Sequence, residues 1–480
     1  MATDNTGPNP RRWRALALIA AAQFIVIMDT SIIGVALPKM KDVLGFSQEN
    51  LSWVFNAYVV AFGGLLLLGG RLSDLLGARR LFSTGWAVLG VGSVVAGLAQ
   101  NVPTELAGRA VQGLGAAMIA PAALTLLMML FGGNPKELTK AFALYGAAAP
   151  AGGTAGVFLG GLITQYISWP WVFYINIPVA LVALFATPSL MPSVPRRSGG
   201  IDIFGALTVT GGLAAAVYAI VRAPEAGWAS ASTLLTLAVA AVLLIAFLVI
   251  QGKRREPLMR LSIFRAPNLG AANLAQFLLA AAWVPMWFFL NLYLQQVLHL
   301  GAFASGAALL PMTVAIMAIM ITAAPKLIAR FGPKALVVTG MLALGAGLFG
   351  LSLARPDGNF WVDVLPASLL AAIGMALAFI PSLGTAISAA PPEDGGLASG
   401  IVNTGYQVGS ALGLAAMTAL AGAQTSDTTV ESLTSGFSAA FIGSAAIAVV
   451  GGLLAVATLR TPRPESTGAT AADAQSAPVM

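Results

Sequence analysis

The chain has 480 residues, of which 58% are hydrophobic and only 9% are charged. Soluble globular proteins carry about 25% charged residues, so this composition excludes an ordinary soluble domain and predicts an all-α polytopic membrane protein. The chain contains no cysteine, which excludes disulfides and thiolate metal sites.

Apolar runs long enough to cross a bilayer follow one another from the N-terminus to residue 458. No cleavage site follows the first run, so we expect an uncleaved first helix. Fourteen spans are predicted, at 15–37, 51–70, 81–99, 104–130, 141–163, 171–189, 203–221, 231–250, 269–290, 304–324, 335–354, 362–386, 398–422 and 436–458.

The basic residues predict the orientation of these spans. If the N-terminus is cytoplasmic, 20 Lys and Arg lie in cytoplasmic segments and 4 lie outside. Since cytoplasmic loops carry the excess of Lys and Arg, we expect both termini on the cytoplasmic side of the cell membrane. The net charge of +7 then serves topology, and no nucleic-acid partner is expected.

An internal repeat divides the chain into two similar halves. The stretches AQF (22–24), RLSDLLG (71–77) and GAAMIAP (115–121) are echoed in the same order at 275–277, 326–332 and 375–381. This repeat predicts a 6 + 2 + 6 arrangement of spans. The predicted units are a cytoplasmic tail (1–14), a six-helix bundle (15–190), a linker with two extra spans and a basic loop (191–266), a second six-helix bundle (267–459) and a disordered tail (460–480).

Asp29 is the one acid that lies deep within a predicted span, in the stretch IMDTSIIGVALP at 27–38. A carboxylate at the centre of a bilayer costs about 2.5–3.5 kcal/mol, so such residues face a cavity or a partner. Arg109 is the only base within a span, and its expected depth differs from that of Asp29 by roughly 6 Å. The pair is a candidate proton-coupling site, and a structural hydrogen bond between two helices is the alternative.

The stretch GGRLSDLLGARRLF, at 69–82, is predicted to form a short cytoplasmic loop. Its ordered spacing resembles the signature that joins helices 2 and 3 in the major facilitator superfamily. The resemblance implies that the Asp latches against a helix end and the neighbouring Arg residues, and the glycines are expected to allow tight turns. The residues concerned are Gly70, Arg71, Asp74, Gly77, Arg79 and Arg80.

Further motifs resemble the 14-spanner drug:proton antiporter family within that superfamily. They are IMDTSIIGVALP, LAGRAVQGLGAAM (106–118), WPWVFYINIP (169–178) and NLYLQQ (291–296), which occur in the family's order. The resemblance implies a fourth-helix motif made of Arg109, Gln112, Gly113 and Gly115. It also implies a transporter fold and proton-driven drug export.

The sequence departs from the family pattern in two places. In GTAGVFLGG, at 153–161, Val157 stands where the family usually has proline, while Gly152, Gly156 and Gly160 keep a small-residue face for close packing. The stretch 399–413 contains no acid, so Asp29 is expected to carry the coupling with one proton per cycle. A single carboxylate also predicts poor handling of dications.

Aromatic and amide residues are candidates for lining a central substrate cavity. Such a lining suits bulky amphipathic organic molecules better than sugars or inorganic ions, although each residue could instead serve interior packing or anchoring at the membrane interface. The ninth span offers Gln276, Trp283, Trp287 and Asn291, and other spans offer Gln23, Asn56, Tyr58, Phe379, Asn403, Tyr406 and Gln407.

The sequence thus favours a monomeric exporter of small hydrophobic or cationic organic compounds, with protons and the lipid bilayer as its other partners. It lacks a phosphate-binding G-x-x-x-x-G-K-[ST] loop and a nucleophile–base constellation, so no enzyme activity, cofactor or metal is expected. An exporter of a lipid or of an endogenous metabolite or antibiotic is the alternative. A receptor-like membrane protein that transports nothing is a third reading.

Overall fold

The computed structural model describes residues 11–46, 53–192, 202–254, 257, 261–391, 395–427 and 429–460, and these residues form helices and turns with no strand. The predicted disordered tail lies almost wholly outside them. The first half contains α1 (Arg12–Leu44), α2 (Trp53–Leu76), α3 (Ala78–Gly97), α4 (Val102–Phe131), α5 (Pro135–Tyr166), α6 (Trp171–Tyr174) and α7 (Asn176–Leu190).

Two further helices follow, α8 (Ile203–Ala226) and α9 (Ala231–Lys253). The second half contains α10 (Leu269–Leu292), α11 (Ala302–Ala308), α12 (Leu310–Ala318), α13 (Ala324–Leu351), α14 (Leu365–Ser388), α15 (Gly395–Gln424) and α16 (Val430–Thr458). Single π-helical turns occur at Tyr293–Val297, Ile319–Ala323 and Phe360–Val364, and a short 3-10 helix lies at Leu261–Arg265.

Ten stretches of the described residues are long and apolar enough to cross a membrane, fewer than the fourteen spans predicted. Two causes account for the difference. The stretch Phe303–Leu351 is one continuous run of 49 residues, although Gly332 breaks its helix with a φ of +77°. The helices α3 and α15 are not among the ten, and α8 contributes only the shorter apolar helix Phe204–Ile220.

Local sequence explains where several helices begin and turn. Asn101 accepts the backbone N–H of Thr104 at the start of α4, and Pro103 follows within the first helical turn, where a missing N–H costs nothing. Gly77, between α2 and α3, has a φ of +89°, and Gly332 holds the matching place in the second half with a similar φ. These two glycines end the stretches 71–77 and 326–332, which the sequence analysis paired as parts of a repeat.

Small residues let the helices approach closely. A Cβ built on Gly156 would lie 2.8 Å from the carbonyl oxygen of Met28, and one built on Gly160 would lie 2.9 Å from that of Ile32. Gly152 meets the backbone of Phe24 in the same way. The small-residue face of α5 therefore packs directly on α1, as expected for close helix pairs in a membrane.

The turns after α2 and α3 each reverse the chain, so two ends of the bundle can be named by residues that lie there. The Gly77 end holds the α2–α3 turn, and the Asn101 end holds the α3–α4 turn. At the Gly77 end, the N–H of Leu397 on α15 donates to Asp74 on α2 at 3.1 Å. At the Asn101 end, Phe158 of α5 lies with its ring centroid 4.9 Å from that of Phe303 on α11. The two halves thus touch at both ends.

Candidate functional site

The centre of the site is an ion pair between α1 and α4. Arg109 donates from Nη1 to Asp29 Oδ2 at 2.6 Å, and both side chains are 0% exposed. The contact expected from their matching depths is therefore present. A salt bridge so fully removed from solvent is costly to desolvate and needs further hydrogen bonds to hold both charges.

Two amides supply those bonds to the other carboxylate oxygen. Gln112, one turn after Arg109, donates to Asp29 Oδ1 at 3.0 Å, and Asn176 at the start of α7 donates to the same oxygen at 2.6 Å. Gln112 also donates to Ser93 on α3 at 2.8 Å and accepts from Arg109 at 2.7 Å. One carboxylate thus receives donors from two helices, and protonating it would weaken three bonds at once.

Arg109 is held on its remaining sides by α2. Its Nε donates to the carbonyl of Val54 at 2.9 Å, and its guanidinium lies 4.6 Å from the centre of the Tyr58 ring. The phenol of Tyr58 donates to the carbonyl of Val26 at 3.4 Å. A cation over an aromatic face is attracted by the ring quadrupole. Tyr58, a candidate cavity residue by sequence, is therefore buried as part of the ion-pair cluster.

The glycines of the fourth-helix motif create the room for this cluster. A Cβ on Gly113 would lie 2.5 Å from the carbonyl oxygen of Tyr58, and one on Gly115 would lie 2.5 Å from the backbone nitrogen of Leu89. Backbone atoms cannot move aside as the end of a side chain can. Gly113 and Gly115 therefore bring α2 and α3 against α4 at the level where Arg109 and Gln112 lie.

Sequence reasoning missed three residues of this cluster. Asn176 stands inside the quoted motif WPWVFYINIP, so its amide could have been named there, whereas Ser93 lies in an apolar run with nothing to distinguish it. Glu105 is the second residue of the predicted span 104–130, and Asp29 alone was predicted to be a deep acid. In the structure it is 0% exposed, one helical turn before Arg109.

The predicted loop at 69–82 is wrong in its extent. Residues up to Leu76 belong to α2 and α3 begins at Ala78, so only Gly77 forms the turn. Gly70 is not in a turn: it lies in α2, where a Cβ on Gly400 of α15 would come 3.3 Å from its Cα. Helical hydrogen bonding continues through the motif because it contains no residue that stops α2 before Gly77.

Asp74 accepts the N–H of Leu397 in the first turn of α15. A carboxylate at this position interacts favourably with the positive end of a helix dipole. The basic residues of the motif lie around the same end of the bundle: Arg71 and Arg79 are partly buried and Arg80 is exposed. The contact joins the first half of the chain to the second.

Several candidate cavity residues lie close together between the halves. Phe379 on α14 meets Tyr406 on α15 edge to face, with ring centroids 6.0 Å apart, and Phe379 also faces Gly146 of α5. Tyr145, next to that glycine, donates to Gln23 on α1 at 2.7 Å. The two halves therefore meet here where α5 approaches Phe379 of α14, and the residue next to that contact is bonded to Gln23.

Other candidates have local roles in the structure. Gln276 is buried and donates to the carbonyl of Phe379 at 2.9 Å, so its amide nitrogen fastens α10 to α14. Trp283 is buried and packs edge to face on Trp287. Asn291 accepts a hydrogen bond from Gln295, and Asn403 donates one to the carbonyl of Ser399. Gln407 is partly buried. The side chain of Asn56 lies outside the described residues.

Two helical halves joined through α2 and α15, with an ion pair buried inside the first half, are typical of a membrane transporter of the major facilitator type. The comparison with known proteins agrees: the sequence matches the Major Facilitator Superfamily over residues 19–414 and again over 326–480, and the chain belongs to that family.

Curated relatives resemble the chain over most of its length. It is 36% identical over 468 residues to the cephamycin export protein CmcT of Amycolatopsis lactamdurans, with 96% of each chain covered. It is 38% identical over 414 residues to the puromycin resistance protein pur8 of Streptomyces alboniger, which covers 85% of this chain and 82% of the relative. The relatives support an efflux transporter.

Solved structures show the fold. The proton:xylose symporter XylE superposes with a TM-score of 0.68 at 14% identity, covering 95% of this chain and 97% of that one. The human organic anion transporter MFSD10 superposes with a TM-score of 0.67 at 16% identity, covering 93% and 100%. At these identities the likeness concerns the fold alone.

Proposed function

We propose that the protein is a secondary-active efflux transporter, which exports hydrophobic or cationic amphipathic organic compounds in exchange for protons. The observation that carries the proposal is the Asp29–Arg109 pair, which is fully buried and bonded across three helices. Ionisable residues inside a membrane protein are expensive to maintain and mark ion or proton pathways. The curated relatives that export antibiotics or confer resistance to them support the same reading.

Proton binding to Asp29 is the coupling step in this proposal. A neutral acid no longer holds the guanidinium of Arg109 and the amide of Asn176 as strongly as a carboxylate does. The contacts between α1, α4 and α7 then weaken together, which favours a different packing of the first bundle. One proton crossing a potential of 100 mV supplies about 2.3 kcal/mol for this change.

The proposed architecture has fourteen membrane spans arranged 6 + 2 + 6, as in the 14-spanner drug:proton antiporters. Phe303–Leu351 then crosses the membrane twice, with the break at Gly332, and α3, α8 and α15 each cross once. Both termini and the Gly77 end face the cytoplasm. The contact between Asp74 and Leu397 then closes the inner side, and the protein works as a monomer in the cell membrane.

The proposed substrate site lies where the two halves meet near Phe379 and Tyr406. The rings of Phe379 and Tyr406 pack together on α14 and α15, and Phe379 meets α5 at Gly146, next to the Tyr145 that bonds Gln23 of α1. An apolar lining with a few polar groups is typical of sites that bind organic molecules. Contributions from both halves let the site open alternately to either side as the halves rock.

A second candidate function is export of an endogenous antibiotic or related metabolite. The observation that favours it is the likeness to the cephamycin export protein over 96% of both chains, together with 32% identity to a tetracenomycin C resistance and export protein of Streptomyces glaucescens. Both functions use the same site and the same coupling. They differ only in the compound that the proposed substrate site selects.

Transport into inverted membrane vesicles tests the proposal. An acid-inside pH gradient should drive uptake of a fluorescent cationic dye, and the ionophore nigericin, which collapses that gradient, should abolish it. A parallel panel of β-lactam and polyketide antibiotics and labelled lipids decides between the two candidate functions. Uptake that is indifferent to the pH gradient for every compound would contradict proton-coupled export.

A further inference from the structure

Glu105 is a second acid buried beside the ion pair. Its side chain is 0% exposed, and neither of its carboxyl oxygens has a hydrogen-bond partner among the described residues. A buried charge without a partner is strongly disfavoured, and buried polar groups that lack partners are rare. An acid in this position therefore needs an explanation beyond packing.

Helix capping does not provide that explanation. Acids in the first turn of a helix commonly stabilise its N-terminus, but they do so from exposed positions. In α4 that role belongs to Asn101, which accepts the N–H and the hydroxyl of Thr104 at 3.0 Å and 2.8 Å. The carboxyl of Glu105 instead points into the protein.

The geometry connects Glu105 to Arg109. The two residues are four apart on α4, so their side chains lie on the same face about 6 Å apart along the axis. Arg109 uses Nε for Val54 and Nη1 for Asp29 and Gln112, while its Nη2 is buried without a partner. Arg109 thus has one donor nitrogen, Nη2, without a partner in the described part of the chain. The acid without a partner there, Glu105, lies one helical turn away.

We infer that Glu105 is a second proton-binding residue, which receives a proton from the Asn101 end and passes it to Asp29. This inference rests on the proposed function and extends it. In the step, the proton leaves a carboxyl oxygen of Glu105 and binds a carboxylate oxygen of Asp29. Arg109 remains charged and changes its counter-ion from Asp29 to Glu105 through Nη2.

This exchange keeps the net charge of the cluster constant. Before the step the charges are those of Arg109 and an ionised Asp29, and after it they are those of Arg109 and an ionised Glu105. A step without change in net charge avoids the large cost of creating an isolated charge in a low-dielectric interior. It also lets Asp29 release Gln112 and Asn176 without leaving Arg109 unpaired.

Few other charged or titratable groups surround Glu105 and Arg109. Tyr58 on α2 covers the guanidinium, and α3 faces α4 through Gly92 and Ala96, which carry no charge. Towards the Asn101 end α1 carries Lys39 and Asp42, which are exposed, and Lys41, which is partly buried. The charged residues of α5 lie at the opposite, Gly77 end, and α15 has none. Proton exchange at this level therefore involves Asp29 and Glu105, with Arg109 as the shared cation.

The test compares Glu105→Gln with wild type in proteoliposomes, using two assays of the same fluorescent cationic dye. The first is dye transport driven by a pH gradient, and the second is counterflow exchange of dye at equal pH, which needs no net proton movement. We expect the variant to keep counterflow and to lose about a hundredfold or more of the gradient-driven rate, the scale typical of a removed proton-transfer group. Glu105→Asp, which keeps a carboxyl group, should retain much more of that rate.

Glu431→Gln is the matched control, because Glu431 lies in the first turn of α16 and is exposed. It should behave as wild type in both assays. A Glu105→Gln protein with wild-type gradient-driven transport would overturn the inference, as would one that loses counterflow together with transport, since Glu105 would then serve packing. Failure of wild type itself to respond to the gradient would refute the proposed function instead.

Discussion

Removing the cation of the buried pair should destabilise the protein far more than removing both charges. Arg109→Met replaces the guanidinium with an apolar chain and leaves the carboxyl group of Asp29, which is 0% exposed, without its cation. Breaking a buried pair in this way costs about 3–5 kcal/mol, whereas replacing both partners with uncharged residues is often nearly neutral. The double variant Asp29→Asn, Arg109→Met should therefore recover about 2–3 kcal/mol of the loss.

Unfolding of the purified protein in mixed micelles with increasing SDS, followed by circular dichroism, measures these free energies. Arg12→Met is the matched control, because Arg12 pairs with Glu137 at 2.8 Å while both side chains remain partly exposed, at 19% and 26%. Such a pair is worth about 1 kcal/mol or less. Equal losses in the single Arg109 variant and the double variant would refute the reasoning, since they would mean that the two charges do not stabilise each other.

Two further predictions concern the contacts between helices. Asp74→Ala removes the acceptor of the Leu397 N–H and should weaken the closed Gly77 end by about 1 kcal/mol, or roughly fivefold in the closed-to-open ratio. Because the chain has no native cysteine, a Ser399→Cys reporter would show this as faster maleimide labelling, and an unchanged rate would contradict the latch. Gly156→Val should cost about 1–3 kcal/mol of unfolding free energy by pushing α5 off α1, while Gly161→Ala, with nothing within 4 Å of its new Cβ, should cost little. Equal effects of the two glycine substitutions would argue against close packing at Gly156.

The charged part of the site was predictable because charges are rare in this chain. Asp29 and Arg109 are conspicuous in apolar runs, and helix direction with the rise per residue placed them at similar depth. The amide of Asn176 was not assigned, because Asn has no special cost at a helix start and its contact depends on how α7 approaches α1. Glu105 is the second residue of the predicted span 104–130, and a position near the end of a span carries no information about which neighbouring helices cover that end.

Helix ends and inter-helix contacts account for the remaining differences. The motif at 69–82 was predicted as a loop because it is polar, but polar residues continue a helix readily where the chain leaves the apolar region, and only Gly77 with its positive φ ends α2. Gln276 was predicted to line a cavity because it is an amide within the ninth span. Residue type identifies a group that needs a hydrogen-bond partner, whereas the partner itself, the carbonyl of Phe379, is set by tertiary packing.

The most direct test of the account is dye transport driven by a pH gradient in inverted vesicles, with wild type and Asp29→Asn at equal expression. The account predicts that the variant still binds dye and loses transport driven by the gradient, because an amide cannot take up and release a proton at this site. A variant that pumps at the wild-type rate would contradict the account, and Asp29 would then be a structural partner of Arg109.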